Sequence, residues 1–328
     1  MPQIRFLSKA DIGRLLDLGR TVDAVSEAFS AYQEGKCLIA PVVSMCMDNV
    51  RGELHVKAAY VESLSLISTK LIHAFYDNPR KYRLPTGMGL LVLADGLTGR
   101  PLAVMDSSMI TFLRTGASGA LGIRHLSRED SRIATLVGAG VNGRMQLRGL
   151  RLERPVEEIR VYDIDPKAAE SCAAEMSAEL GVPVRARAGL REAVLGADIL
   201  ITCTPSRSPF ILRDWIKPGM HINAIGADGN GKQELEADVF IGAKIVVDHA
   251  GQCTSFGETS WPIKKGLLRA EDVYAEIGEL TSGRKPGRIS PEEVTIYDAT
   301  GVAIQDLAAA GLALLTAESV GAGCLVEL

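Results

Sequence analysis

The chain has 328 residues, of which 47% are hydrophobic and 23% charged, and its formal net charge is −4. This length is sufficient for two domains with their own hydrophobic cores. The acidic balance, without a basic tract interleaved with aromatic residues, argues against a nucleic-acid partner. We expect no membrane association, because no apolar run approaches the roughly 18 residues that span a bilayer.

The cysteines and histidines predict neither disulfides nor a metal site. The six cysteines form no C-x-x-C pair, and the five histidines have no spacing typical of metal ligands. Scattered free thiols are typical of a reducing compartment. The N-terminal sequence also lacks the layout of a signal peptide, so the predicted location is the cytoplasm.

The first third of the chain has mixed patterns. Residues 3–7 predict a short strand, and residues 21–32 predict an amphipathic helix that ends before Gly35. Residues 53–72 and 89–105 run apolar in short pieces separated by turn residues, which is typical of an antiparallel sheet. This part is therefore predicted to be an α+β domain.

Residues 133–163 predict a dinucleotide-binding unit. An apolar strand leads into the turn Gly138-Ala-Gly140-Val-Asn-Gly143, and a second strand ends at Asp163, about 20 residues after the last glycine. The first glycine permits the sharp turn, the second lets the backbone approach a pyrophosphate, and the third lets helix pack against strand. A carboxylate at Asp163 accepts hydrogen bonds from a ribose diol and repels a 2′-phosphate, which favours NAD over NADP.

Beyond residue 132, strand-like and helical segments alternate, which predicts a parallel, doubly wound sheet. Strands are predicted at 133–137, 159–162, 182–186, 198–203, 221–225, 244–248 and 294–297. The apolar helix predicted at 301–317 lies outside this alternation and is expected to pack on the N-terminal domain. The fold class is therefore α/β, with a Rossmann-type domain over 128–304 and an α+β domain over 1–127 completed by 305–328.

Motifs in both predicted domains carry a resemblance to a known family. They are Lys70; Leu84-Pro-Thr86-Gly; Thr111-Phe-Leu-Arg114-Thr115-Gly-Ala; Pro218-Gly-Met-His-Ile-Asn-Ala-Ile-Gly-Ala-Asp228-Gly; Lys232-Gln-Glu-Leu; and Asp298-Ala-Thr300-Gly301-Val-Ala-Ile-Gln-Asp306. In this order and spacing they resemble the ornithine cyclodeaminase/mu-crystallin family over nearly the whole chain. The resemblance implies a homodimer built through the N-terminal, substrate-binding domain, with an active site between the domains.

The resemblance also implies roles for individual side chains. Arg114 and Lys70 match positions that hold the substrate carboxylate, and Lys70 matches the catalytic lysine. Asp228 matches the group that donates and accepts the proton. From the residues alone, Arg114 could equally be a surface helix charge, Lys70 a solvated strand residue, and Asp228 a turn former before Gly229.

A further set of positions matches cofactor contacts in the family, many of them through backbone groups. Including the three glycines of the turn, these positions are Thr86, Arg114, Thr115, Gly138, Gly140, Val141, Asn142, Gly143, Asp163, Thr204, Ala224, Ile225, Gly229 and Thr300.

Two departures from the family pattern bear on the substrate. Most members have an arginine in a Pro-x-Arg segment before the catalytic lysine, and here that segment is Pro41-Val42-Val43. Ornithine cyclodeaminases have a glutamate where this chain has Lys57. Exchanging an acid for a base reverses the sign of the local electrostatic field, and where the site is partly buried this changes the interaction energy with a charged substrate group by several kcal/mol in order of magnitude. Lys57 either replaces the missing arginine as a carboxylate ligand or is an outward-facing strand lysine.

The favoured function is an NAD(H)-dependent oxidoreductase that interconverts a small imino acid, or a 2-oxo acid plus ammonia, and an L-amino acid by hydride transfer at the α-carbon. Two alternatives stay open. One is an ornithine cyclodeaminase, which converts ornithine to proline and ammonia with NAD recycled. The other is a non-catalytic protein that binds nicotinamide cofactor and ligand, as mu-crystallin suggests for some relatives.

Overall fold

The computed structural model describes residues 3–327, and the chain divides into two compact units. Residues up to Arg114 and from Val302 onward form the first unit, and Thr115–Gly301 form the second. The division thus lies inside one helix, Ser107–Leu126, and not at the polar segment near residue 127 where the sequence pattern changes. A continuous helix crosses the division, so no loop or shift in composition marks it.

The first unit begins with a strand and two helices and continues mainly as strands. Its elements are β1 (Gln3–Leu7), α1 (Lys9–Leu15), α2 (Leu18–Gln33), β2 (Cys37–Ile39), β3 (Val43–Met47), β4 (Gly52–Val61), β5 (Leu66–Phe75), α3 (Asn78–Lys81), β6 (Gly87–Asp95), β7 (Pro101–Asp106) and the start of α4 (Ser107–Leu126).

The rest of the chain alternates strands and helices and then returns to the first unit. It contains β8 (Ile133–Val137), α5 (Val141–Glu153), β9 (Glu158–Tyr162), α6 (Pro166–Leu180), β10 (Val184–Ala186), α7 (Leu190–Val194), β11 (Ile199–Thr202), β12 (His221–Ala224), β13 (Lys244–Val247), α8 (Ala250–Phe256), α9 (Ser260–Lys264), β14 (Ala275–Glu276), α10 (Ile277–Thr281), β15 (Thr295–Asp298), α11 (Ala303–Val320) and β16 (Cys324–Glu327).

The sheet of the first unit has the order β16-β1-β7-β6-β5-β4-β2, with β3 paired to β4. Neighbouring strands are antiparallel except for β1 and β7, and the antiparallel pairing agrees with the prediction for residues 53–72 and 89–105. Helix α11 packs against α2 and against β4 and β5. It therefore covers one face of this sheet, in agreement with the expectation that the last apolar helix packs on the N-terminal part of the chain.

Helix α11 is long and apolar enough to cross a membrane by length and composition, contrary to the expectation that no segment of the chain is. In the structure, however, 61% of it is buried, which is the behaviour of a core helix. It ends at Gly321, whose φ of 68° is the left-handed conformation that closes a helix.

The sheet of the second unit is entirely parallel, with the order β10-β9-β8-β11-β12-β15-β13-β14. Apolar side chains alternate to both faces: Leu136 and Ile201 pack in one core with α5 and α6, and Leu200 and Ile222 pack in another. This burial on both faces explains the continuous apolar runs of these strands. Strand β14 was not predicted, because two residues are too few to show a period.

Strand β8 is the point where the winding of the second unit reverses. Its neighbours are β9 on one side and β11 on the other, so the connections that follow these strands leave in opposite directions. Ligands of such sheets bind at the carboxyl ends of the strands at this switch point. The turn after β8 and the segments after β9, β11 and β12 therefore meet at the expected binding edge.

Candidate active site

The turn after β8 has the geometry of a phosphate-binding loop. Gly138 has a φ of 103°, and a Cβ atom there would lie 2.5 Å from the carbonyl oxygen of Cys203. A Cβ atom on Gly143 would lie 2.1 Å from the Gly138 carbonyl oxygen, whereas one on Gly140 would meet nothing within 4 Å. The first and third glycines are thus required by close backbone packing, and the second leaves the start of α5 open to a ligand.

Asp163 lies at the end of β9 and faces this turn. Its Oδ2 atom accepts a hydrogen bond from the Ala139 N–H (2.7 Å), and its Oδ1 atom accepts one from the Asp165 N–H (2.9 Å). Each carboxylate oxygen has a second lone pair, so the group retains acceptor capacity for a ribose diol. Its backbone partners hold it in the orientation that the sequence motif implies.

A cavity of about 490 Å³ lies along the same edge, between the glycine turn, Asp163 and the segment that contains Thr204. At the first turn of α5, the Oδ1 atom of Asn142 is buried and has no hydrogen-bond partner among residues 3–327. A cavity, an open helix N-terminus and an orphan acceptor together fit a dinucleotide.

The other predicted cofactor positions lie in different environments. Val141 begins α5, while Thr204, Ala224, Ile225 and Gly229 follow or end β11 and β12 at the carboxyl edge. Thr115 and Thr300 also belong to the second unit, whereas Thr86 and Arg114 belong to the first. The Thr300 hydroxyl is buried against Asp248 (3.2 Å) and Gln252 (3.1 Å), so any cofactor contact there would be made by backbone atoms.

Asp228 lies four residues beyond β12, and 51% of its side chain is exposed. Its Oδ1 atom is 2.6 Å from Nζ of Lys232, a side chain that is itself buried. The turn-forming alternative does not account for this buried cation. Lys232 has no role predicted from sequence, because an acid and a lysine four residues apart are common on exposed helices.

In the first unit, Lys70 and Arg114 are both buried around a single acid, Asp306 of α11. Lys70 Nζ lies 2.7 Å and Arg114 Nε 2.9 Å from the Oδ1 atom of Asp306. Lys70 is 1% exposed and Arg114 is 7% exposed, so neither is the solvated residue that each could have been from sequence alone. With both cations protonated, these three side chains carry one more positive than negative charge.

Burial and charge act against each other in this cluster. Burial lowers the pKa of the Lys70 ammonium to about 7, although the attraction of Asp306 opposes the shift. Burial by itself raises the pKa of Asp306, but Lys70, Arg114 and Lys57 outweigh it and hold that pKa below its usual value. Asp306 is therefore the anionic member of the cluster.

Lys57 is the cross-strand partner of Lys70 in the β4–β5 ladder and points to the same face of the sheet. It is buried and contributes to the electrostatic field at Asp306, which excludes the outward-facing alternative. The position that carries a glutamate in ornithine cyclodeaminases is thus a buried base beside the Lys70 cluster.

Gln305 and Asp306 belong to one of the motifs that carry the family resemblance, but neither has a role predicted from sequence. Gln305 Oε1 accepts a hydrogen bond from Arg114 Nη1 (3.2 Å), and its Nε2 atom is buried without a partner among the described residues. The available signal was two adjacent polar residues at the start of a helix whose next nine residues, 307–315, are all apolar or glycine. Buried polar groups need partners, and these two face the cations.

A doubly wound parallel sheet, a glycine turn at its switch point and an acid at the end of the second strand define a dinucleotide-binding protein of the Rossmann type. The second unit has these features, and the cation cluster of the first unit is of the kind that holds a small carboxylate. The family model for the ornithine cyclodeaminase/mu-crystallin family matches residues 3–319, and the chain belongs to this family.

Solved structures of related proteins have the same fold. An archaeal alanine dehydrogenase dimer with bound NAD is 37% identical, with a TM-score of 0.94 and 100% of both chains covered. The Δ1-pyrroline-2-carboxylate reductase of Thermococcus litoralis, in complex with NADH and L-proline, is 33% identical, with a TM-score of 0.95 and coverage of 98% of this chain and 99% of that chain. A lysine cyclodeaminase is 26% identical, with a TM-score of 0.87 and coverage of 100% and 96%.

These comparisons confirm several predictions from sequence. The family and the α/β fold class are as predicted, and so is the broader function of an NAD(H)-dependent enzyme of amino- and imino-acid redox chemistry. The individual site residues and the domain roles remain predictions.

Proposed function

We propose that the protein is an imine reductase or amino-acid dehydrogenase that exchanges a hydride with the α-carbon of a small amino or imino acid. The observation that carries this proposal is the pair of buried cations, Lys70 and Arg114, on one carboxylate, Asp306. The excess positive charge suits a second carboxylate, that of the substrate. Arginine supplies a planar pair of donors for such a group, and a desolvated carboxylate needs them.

Bound NADH supplies the hydride for this reaction. Lys70 and Arg114, with Lys57 on the neighbouring strand, hold the substrate carboxylate and so fix the position of the α-carbon. Asp228 gives a proton to the imine nitrogen in the reductive direction and accepts one in the oxidative direction. In the oxidative direction, water then opens the imine to a 2-oxo acid and ammonia.

Lys57 favours this reaction over ornithine cyclisation. A diamine substrate brings a second ammonium, which a buried lysine at this position repels, whereas a glutamate attracts it. We therefore place cyclodeamination second and the non-catalytic binding role third.

A substrate survey tests the proposed function. Purified protein is incubated with NADH and, separately, pyruvate plus ammonia, Δ1-pyrroline-2-carboxylate and oxaloacetate plus ammonia, and NADH oxidation is recorded. At least one imine is expected to be reduced, with NADPH a poor substitute because the Asp163 carboxylate repels a 2′-phosphate.

A parallel sample with L-ornithine and catalytic NAD is assayed for proline. Proline formation without imine reduction would assign the protein to the cyclodeaminases. Tight NADH binding without any turnover would assign it to the binding proteins.

We also propose that the protein is a homodimer that associates through the first unit. On the sheet face opposite α11, a row of cross-strand pairs runs over four neighbouring strands. Val43 pairs with Val56, Val56 with Leu71, and Leu71 with Leu90. The row includes Val43, Leu71 and Leu90. These three side chains are between 38% and 62% exposed and form an apolar row. Contiguous exposed apolar surface of this kind is typical of a protein interface, and the related alanine dehydrogenase is a dimer.

Analytical ultracentrifugation tests the dimer. The wild-type chain of 35.0 kDa is expected to sediment as a dimer, and Leu90→Glu as a monomer, because the substitution places a charge within the apolar row. Leu97→Glu is the matched control, since Leu97 is 82% exposed in the turn between β6 and β7. Equal sedimentation of the Leu90→Glu variant and the wild type would contradict this interface.

The cytoplasmic location predicted from sequence is also a proposal. All six cysteines are free thiols in the structure, and Cys46 and Cys324 are exposed. Exposed free thiols are compatible with a reducing compartment.

A further inference from the structure

Glu234 is a fully buried acid whose side chain joins two separate loops of the second unit. Its Oε1 atom accepts a hydrogen bond from the Thr204 N–H (2.6 Å), and its Oε2 atom accepts one from the Gly226 N–H (3.0 Å). The Glu234 backbone is held as well, since its carbonyl oxygen accepts from the N–H groups of Phe210 (2.8 Å) and Ile211 (3.1 Å).

The two loops follow adjacent parallel strands at the cofactor edge. Thr204 comes just after β11 and Gly226 just after β12, and Thr202 pairs with Ala224 where these strands end. The loop after β12 also carries Asp228, whose N–H donates to the Gly226 carbonyl oxygen (3.1 Å). In a doubly wound sheet this half lies across the switch point from the adenine-binding half, and it receives the nicotinamide.

The junction of the two loops and the acid has no room for another side chain. A Cβ atom on Gly226 would lie 2.2 Å from the Thr204 carbonyl oxygen and 2.5 Å from Oε2 of Glu234. Real Cβ atoms do not approach other atoms so closely. The loops are therefore held in direct contact through one carboxyl group.

A second buried acid holds the first. Glu258 accepts hydrogen bonds from the N–H groups of Glu234 and Leu235. Burial raises the pKa of Glu234 to about 7, and burial together with the Glu234 charge raises the pKa of Glu258 well above its usual value. Burying two adjoining carboxyl groups in a core costs free energy. A carboxyl group is nevertheless the one side chain that offers two strong acceptors in one plane, as the two backbone N–H groups require.

We infer that Glu234 is a positioning residue of the nicotinamide half-site, where it fixes the Thr204 loop relative to the Asp228 loop. The inference rests on the proposed function, because it takes Asp228 as the proton donor and Thr204 as a cofactor contact. Glu234 itself contacts neither substrate nor cofactor in this assignment; it acts through the two backbone N–H groups.

Glu234→Gln tests the inference, because it keeps the size of the side chain but replaces one acceptor with a donor that opposes a backbone N–H. The dissociation constant of NADH is expected to rise about tenfold and kcat to fall about tenfold, while KM for the imino acid, which depends on Lys70 and Arg114, stays within twofold. Glu234→Asp, one methylene shorter, cannot reach both N–H groups and is expected to show a loss of the same kind.

Glu236→Gln is the matched control, an acid two residues further along the same segment, whose carboxylate faces Lys265 at 3.7 Å. It is expected to leave NADH affinity and kcat at wild-type values. Amide hydrogen exchange supplies a readout independent of turnover: in Glu234→Gln, faster exchange is expected at residues 203–206 and 224–229 and not across the rest of the second unit.

Wild-type NADH affinity and wild-type exchange in Glu234→Gln would overturn the inference, and so would an equal loss in Glu236→Gln. Exchange that accelerates uniformly across the unit would also overturn it, because this would show a general structural role. If the wild-type protein reduced no imine, the proposed function would fail, and NADH affinity with local exchange would still decide the role of Glu234.

Discussion

Asp228→Asn is expected to lower kcat about 1000-fold while the dissociation constant of NADH stays within twofold of the wild-type value. General acid–base groups contribute roughly 10²- to 10⁴-fold to catalysis, and an amide can neither give nor take the proton. The replacement is isosteric, and its carbonyl oxygen can still accept from Lys232 Nζ, which lies 2.6 Å from the acid in the native protein. The measurement is steady-state kinetics with the best imine of the survey, beside a fluorescence titration with NADH.

Asp238→Asn is the control for a general effect of surface charge. Asp238 is an exposed acid in the same unit, and its loss should leave kcat unchanged. Wild-type kcat in Asp228→Asn would remove the acid–base assignment. A parallel loss of NADH affinity would instead indicate a role in cofactor binding.

Lys70→Met is expected to raise KM for the imino acid about 100-fold, which corresponds to about 2.7 kcal/mol of binding free energy. Methionine fills a similar volume without the ammonium, so the substrate carboxylate loses one charged donor. NADH affinity should not change, because Lys70 is not among the positions that match cofactor contacts in the family. Lys36→Met, at an exposed lysine that pairs with Glu34, is the control and should behave as wild type.

The lowered pKa of Lys70 predicts that kcat/KM depends on pH. Burial lowers the pKa of Lys70 to about 7, so below that pH the side chain is a cation, and above it a neutral amine. A carboxylate binds the cation better, and kcat/KM is therefore expected to fall as the pH rises through about 7. Lys70→Arg keeps its charge throughout this range, so its profile should lack that fall; a fall identical to that of the wild type would assign the titration to another group.

The nucleotide-binding part of this protein could be predicted from the sequence because it is local. Gly138, Gly140, Gly143 and Asp163 lie on one strand–helix–strand unit. Close packing requires the first and third glycines, Gly140 leaves space at the start of α5, and Asp163 accepts a hydrogen bond from the turn. The alternation of buried strands after residue 132 likewise predicts a parallel sheet, since strands buried on both faces need continuous apolar runs.

The limits of the second unit could not be predicted in the same way. Helix α4 runs from Ser107 to Leu126 without a break, and the division between the units lies within it, after Arg114. Periodicity shows a helix but not which of its turns packs against which sheet. The two-residue strand β14 escaped prediction because its pairing with β13 depends on a neighbour distant in the chain.

The amino-acid order alone determined the fold class, the family and the cofactor, because those follow from short-range patterns and spaced motifs. Only the tertiary structure decided that Lys70, Arg114 and Lys57 are buried, and that Asp306, 236 positions from Lys70, is the acid that Lys70 and Arg114 share. It also decided that Glu234 joins two loops. The reason is physical: the energy of a charge depends on burial and on neighbours within a few ångströms, and folding brings those neighbours from distant parts of the chain.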